Sequence, residues 1–106
     1  MQKKVQMNID KWVQMLNNRD YSSAYNLLDE TFRNNTFGSQ EKFEKYMKEN
    51  YSLQYSITYN EYKEENNISI MSITLKDILG KNEITKDLKI IMQLNNNYDF
   101  TMSFEI

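Results

Sequence analysis

The sequence predicts one α+β domain, in which three N-terminal helices pack on one face of a curved, four-stranded antiparallel sheet that forms a cone. The chain has 106 residues, which is enough for one hydrophobic core. Apolar residues recur every three or four positions before about residue 51 and alternate after it. No proline and only two glycines occur, so no linker divides residues 1–106.

The first half of the chain predicts helices at about 3–18, 21–33 and 39–50. Asp20 and Ser39 precede the second and third helices and are good N-cap residues. The side chains expected to face the core lie at helical spacing: Val5, Ile9, Trp12, Val13, Leu16, Tyr21, Ala24, Tyr25, Leu28, Phe32, Phe43, Tyr46 and Met47. These apolar stripes are the surface available to cover a one-sided sheet.

The second half predicts strands at about 52–60, 67–77, 83–94 and 98–106. The last is the clearest, since its apolar and polar residues alternate without exception. Short polar turns are expected at 61–66, 79–82 and 95–97. Because parallel strands need crossovers of about a dozen residues, these connections predict an antiparallel sheet.

The second strand carries apolar residues of both parities. Ile68 and Ile70 share one parity, whereas Met71, Ile73 and Leu75 share the other. We interpret this change of phase as a β-bulge within the strand. The alternative is a central strand that is buried on both faces.

The composition excludes several kinds of site. The chain contains neither cysteine nor histidine, so we expect no disulfide, no metal site and no cofactor that depends on those ligands. A formal charge of −2 without a basic block gives no reason to expect nucleic-acid binding. No apolar run reaches the length of about 18 residues that a spanning helix needs, so we expect no direct membrane insertion.

The predicted inner positions of the sheet lack an obvious general base. On our strand registers, Asp87 and Asp99 have the outward parity, and no catalytic residue is assigned. Asp29 and Glu30 form an acid pair near the predicted cone, but a solvated helix face is the simpler interpretation. We therefore expect a protein that is not an enzyme.

A ligand pocket is the other possibility inside the predicted cone. Tyrosines and adaptable methionines would line it, and the candidates are Tyr25, Tyr55, Tyr59, Met92 and Met102. The alternative is that these side chains simply fill the core. The outward positions of the strands look polar, which predicts a monomer or a weak homodimer.

Two segments resemble the nuclear transport factor two-like superfamily. The stretch WVQMLNNRDYSSAYNLL (12–28) is similar to its opening, where a first helix, a polar turn, an acidic residue and an aromatic precede an Ala-Tyr-x-Leu-Leu helix. The stretch FGSQEKFEKY (37–46) is similar to its link and third helix. The resemblance implies a cystatin-like roll and is nearest to the small bacterial extracytoplasmic members, which occur in penicillin-binding proteins and conjugation scaffolds.

These observations together predict a non-catalytic interaction or spacer domain of a bacterial envelope or surface protein. Its partners would be another protein or adjoining domains of a larger chain. The resemblance implies an extracytoplasmic location, with a membrane anchor or lipoprotein form of the full-length protein. The alternative function is an apolar-ligand-binding domain or an isomerase-type enzyme that uses the cone between helices and sheet.

Overall fold

The computed structural model describes residues 2–51, 54–78, 85–94 and 100–105, and it confirms the α+β class with a four-stranded antiparallel sheet. Its elements are α1 (Gln2–Asn17), α2 (Tyr21–Asn26), α3 (Glu30–Thr36), α4 (Gln40–Asn50), β1 (Tyr55–Glu65), β2 (Ile68–Asp77), β3 (Thr85–Leu94) and β4 (Phe100–Phe104). The helices precede the sheet, as predicted, and the strands follow one another in the order β1-β2-β3-β4.

The first and last helices lie where the sequence predicts them. The buried residues of α1 are those of the predicted stripe, from Val5 to Leu16. Both predicted N-caps form, because the Asp20 carboxylate accepts from the Ser23 amide at 3.2 Å and the Ser39 hydroxyl accepts from the Lys42 amide at 3.3 Å. Local sequence therefore determines where α2 and α4 begin.

The predicted second helix at 21–33 is wrong as a single element, because it divides into α2 and α3. Between them, Leu28 forms a bridge to Met102 of β4, and the Asp29 amide donates to the Met102 carbonyl oxygen at 2.7 Å. The Asp29 side chain then caps α3 by accepting from the Phe32 amide at 3.0 Å. Pairing with the edge of the sheet replaces the helical hydrogen bonds that a continuous helix would make here.

The first hairpin is tighter than predicted. The turn expected at 61–66 is wrong, because β1 continues to Glu65 and pairs there with Ile68. Only Asn66 and Asn67 form the turn, with φ values of 50° and 65°. Two-residue hairpins favour such positive φ values, and asparagine tolerates them better than most residues. The turns predicted at 79–82 and 95–97 fall outside the described residues.

The bulge predicted in the second strand is also wrong. The pairing of β2 with β3 is continuous from Ile68 to Lys76, whereas the register of β1 against β2 shifts between Tyr59 and Glu61. The extra residue is Asn60, on the neighbouring strand. The mixed parity of β2 arises because Ile68 and Ile70 point to the opposite face from Met71.

We call the sheet face that carries Met71, Ile73 and Leu75 the inner face, and the opposite one the outer face. The inner face and the helical stripes together form the core, with Trp12, Phe43 and Met47 completely buried. Burial of such large apolar side chains is the main stabilising contribution to the fold. No helix in the described part of the chain is long and apolar enough to cross a membrane.

Candidate functional site

The inner face of the sheet is filled by side chains of all four strands. Its buried members are Tyr55, Met71, Ile73, Leu75, Leu88, Ile90, Met92, Met102 and Phe104. From the helical layer, the Trp12 ring lies with its centroid 5.4 Å from that of Phe104. Among the described residues, every buried side-chain nitrogen or oxygen atom has a hydrogen-bond partner. The interface between helices and sheet is thus packed as a core.

The five predicted pocket residues occupy different parts of this core. Met92 and Met102 are cross-strand partners and are 1% and 2% exposed. Tyr25 lies on α2 with its ring 5.4 Å from that of Phe43. Tyr55 and Tyr59 lie on β1, two strands away from Met92 and three from Met102. The described residues outline concavities on the outer face, at the first hairpin and beside α4. None of the five predicted residues lines these concavities. Their role in ligand binding stays a prediction.

The hydroxyl of Tyr59 joins α1 to β1. It donates to the carboxylate of Asp10 and also lies 3.0 Å from the backbone carbonyl oxygen of Gln6. Burial, and then the hydrogen bond and negative charge of Asp10, raise the pKa of the Tyr59 phenol. This hydroxyl is therefore held protonated in a structural contact between helix and strand.

Two acidic residues, the buried Asp77 and the exposed Glu64, share the parity of the inner face at positions that the sequence analysis does not assign. Asp77, the last residue of β2, shares the parity of Leu75, is 7% exposed and lies opposite Tyr55. Glu64 lies opposite the buried Ser69 and accepts from the Tyr62 hydroxyl at 3.0 Å. Asp77 takes part in a polar or electrostatic interaction of its own, so it is not a free base. Its inward direction follows from the parity that it shares with Leu75.

Tyrosines gather at the Asp77 end of the inner face. The Tyr51 ring lies 6.4 Å from that of Tyr46 and 6.3 Å from that of Tyr55, and the Lys86 ammonium lies 5.0 Å from its centroid. Burial, together with the two neighbouring tyrosines, raises the pKa of Tyr51 to about 12. At neutral pH these phenols are hydrogen-bond donors, and Lys86 makes a cation–π contact.

The acid pair predicted on the second helix has a structural role at Asp29, whose carboxylate caps α3 as described above. Glu30 is exposed in the first turn of α3, where a negative charge is favourable for the helix dipole. Within the residues that the structure describes, no group of three or more acidic side chains is arranged to hold a metal ion.

The outer face is less polar than the sequence suggested. Ile70 pairs with Ile91 of β3, and Ile68 lies one pair further along β2, next to the turn. Ile68 is 36% exposed, and the other two are half-buried. We call these three residues the isoleucine strip. Lys63 and Glu65 of β1 are their cross-strand neighbours on one side.

A polar chain crosses the outer face beyond the strip. The side-chain Nδ2 of Asn60, at the bulge, donates to the Thr74 hydroxyl at 2.8 Å. That hydroxyl in turn donates to the Asp87 carboxylate at 2.8 Å. These residues border a shallow concavity of about 690 Å³. Lys89, which also borders it, places its Nζ 3.8 Å from Glu105 Oε1. The polar groups of this region are thus largely paired with one another.

Comparison with known proteins adds no relative: no family model, no curated protein and no solved structure matches this chain. The resemblance to the nuclear transport factor two-like superfamily therefore stays a prediction.

Proposed function

We propose that this chain is a non-catalytic protein-binding domain, and that the isoleucine strip on the outer face of its sheet is the binding surface. The observation that carries the proposal is the isoleucine strip, an outward apolar group in which Ile68 is 36% exposed, whereas the apolar residues of the inner face belong to the core. A cluster of outward apolar side chains on a small domain is typical of an interaction site. The extracytoplasmic placement belongs to the same proposal and rests on the sequence resemblance.

The residues around the isoleucine strip indicate what kind of surface a binding partner presents. On the β1 side the neighbours are Lys63 and Glu65, and on the other side they are Ser103 and Gln93. A matching protein surface has an apolar centre, charges of both signs along one border, and neutral hydrogen-bonding groups along the other. We expect the partner to be another protein or an adjoining domain with that surface.

The proposal is tested with a photo-crosslinking amino acid at position 91 of the full-length protein in its native cells. The same amino acid at Ser56, which lies on the outer face at the far end of β1, is the matched control. We expect a reproducible crosslinked protein from position 91 and not from position 56.

The captured protein is then purified and titrated with the domain. Replacement Ile70→Thr keeps a β-branched side chain and should weaken binding by about tenfold, since a buried apolar contact contributes on the order of 1–2 kcal/mol. The control Thr58→Val lies outside the strip and should leave binding unchanged. Equal binding of the parent and Ile70→Thr, or no crosslink from position 91, contradicts the proposal.

A further inference from the structure

The two edges of the sheet differ in how they are closed. The edge of β4 is joined by the Leu28–Asp29 segment. Among the described residues, the edge of β1 is closed only at its start, where the Tyr55 amide donates to Asn17 Oδ1 at 3.0 Å and Asn17 Nδ2 donates to the Tyr55 carbonyl oxygen at 2.9 Å. The Asn17 amide thus pairs with Tyr55 as a neighbouring strand would.

This contact determines which backbone groups of β1 face away from the sheet. Tyr55 lies opposite Asp77 and points its N–H and C=O groups away from β2. The two residues therefore do not bond to each other, and Asp77 points its backbone groups toward the β3 side. Because this direction alternates along a strand, the odd-numbered residues of β2 point their N–H and C=O groups toward β3. The Asn67 carbonyl oxygen, which accepts from Leu94 of β3 at 3.0 Å, agrees with this orientation. The residues of β1 opposite odd-numbered residues of β2 therefore face the open edge: Ile57, Tyr59, Tyr62 and Glu64.

Acidic side chains border this open edge. Within β1, three acidic residues, Glu61, Glu64 and Glu65, accompany one lysine, Lys63, whose Nζ lies 3.5 Å from Glu61 Oε1. The edges of two copies would bring these carboxylates together, and the bulge at Asn60 interrupts flat pairing. Charges and bulges of this kind protect edge strands from pairing with themselves. The same charges attract an extended segment of opposite sign.

We propose that the edge of β1, from Ile57 to Glu64, binds an extended segment rich in lysine or arginine as an additional strand. Backbone hydrogen bonds to the outward amides provide affinity, and the carboxylates select for a basic partner. The edge shares Lys63 and Glu65 with the border of the isoleucine strip, but the contact proposed here is made by outward backbone groups, so the proposal goes beyond the function proposed above and does not depend on it.

The test is hydrogen exchange of the ¹⁵N-labelled domain, read amide by amide. In the free domain we expect fast exchange at Ile57, Tyr59, Tyr62 and Glu64 and slow exchange at Thr58, whose amide faces β2. The probe is the blocked peptide Lys-Thr-Lys-Thr-Lys-Thr-Lys, and the control is the same peptide with Glu in place of Lys. The lysine peptide should slow exchange of the four edge amides by about tenfold at saturation, and less at high salt.

Two substitutions separate backbone pairing from charge. Glu64→Pro removes one outward N–H and keeps the hydrogen bonds between β1 and β2. It should therefore weaken binding of the lysine peptide about tenfold. Glu64→Ala keeps the N–H and should weaken it only about threefold. If Glu64→Pro does not fold, the pair Glu61→Lys with Glu65→Lys replaces it and should abolish the preference for the lysine peptide.

Three results with the parent domain would overturn this inference. They are equal slowing by the glutamate peptide, absence of slowing at millimolar lysine peptide, and edge amides as protected in the free domain as Thr58. The outcome is independent of the outer-face proposal, because Ile70→Thr should leave the peptide response unchanged. Loss of the response in Ile70→Thr would assign the peptide to the outer face and contradict binding at the edge.

Discussion

Replacement of Trp12 by alanine tests how the helices are held on the sheet. Trp12 is fully buried, its ring lies 5.4 Å from that of Phe104, and its indole N–H donates to the Ala24 carbonyl oxygen at 3.1 Å. Removal of such a ring from a core costs about 3–5 kcal/mol, including the cavity that is left. Loss of the indole N–H also leaves the Ala24 carbonyl oxygen without this donor. This adds about 1 kcal/mol, so we expect a total cost of about 4 kcal/mol or more.

This cost is a large share of the roughly 5–15 kcal/mol by which small domains are stable. The melting temperature of Trp12→Ala should fall by about 15 °C or more, since 1 kcal/mol corresponds to roughly 4–8 °C in a chain of this size. Circular dichroism at 222 nm during heating and urea titration measures the change without relying on the lost indole fluorescence.

Trp12→Phe is the matched control, because it keeps an aromatic ring and removes the N–H. We expect it to cost about 2 kcal/mol, between the parent and Trp12→Ala. A Trp12→Ala protein that melts within about 2 °C of the parent would refute the placement of α1 on the inner face. Equal damage by the two substitutions would mean that the hydrogen bond to Ala24, rather than the packed ring, is what stabilises the helix.

Three further predictions concern the cap, the tyrosine cluster and the hairpin. Asp29→Ala should lower the free energy of unfolding by about 1 kcal/mol in urea titrations because α3 loses its N-cap, and an equal effect of Glu30→Ala would contradict this. Because burial raises the pKa of Tyr51 from 10.0 to about 12, folding favours the protonated phenol. Stability from this residue is complete below pH 10 and is lost as the pH rises to 12, which absorbance at 295 nm and melting curves of the parent and Tyr51→Phe should show; identical curves would contradict it. Asn67, with φ of 65°, should accept glycine with little change, whereas Asn67→Val should cost about 1–2 kcal/mol in thermal melts; equal melting of both variants would refute the left-handed turn.

Most of the helical boundaries were predictable because their signals are local. The stripe from Val5 to Leu16 and the caps at Asp20 and Ser39 depend on residues within one or two turns of each other. The division between α2 and α3 was not predictable in this way. It depends on Met102, which is distant in sequence and pairs with the Leu28–Asp29 segment only once the sheet has formed.

The candidate surfaces were harder to predict than the core. Parity shows which residues of a strand share a face, but it does not show which neighbour contains an extra residue. The bulge at Asn60 was therefore assigned to β2, and the outward direction of Ile68 and Ile70 was missed. The inward direction of Asp77 does follow from the parity of Leu75, but the sequence analysis weighs acidic residues only on the other strands.

By itself the sequence determined the α+β class, the antiparallel order and the residues of the core, because hydrophobic period and short polar turns act over neighbouring positions. Only the tertiary structure decided which strand carries the bulge, which isoleucines stay uncovered and which sheet edge stays open. These features depend on pairing between distant residues such as Asn17 with Tyr55 and Asn60 with Thr74, and local patterns contain no information about such partners.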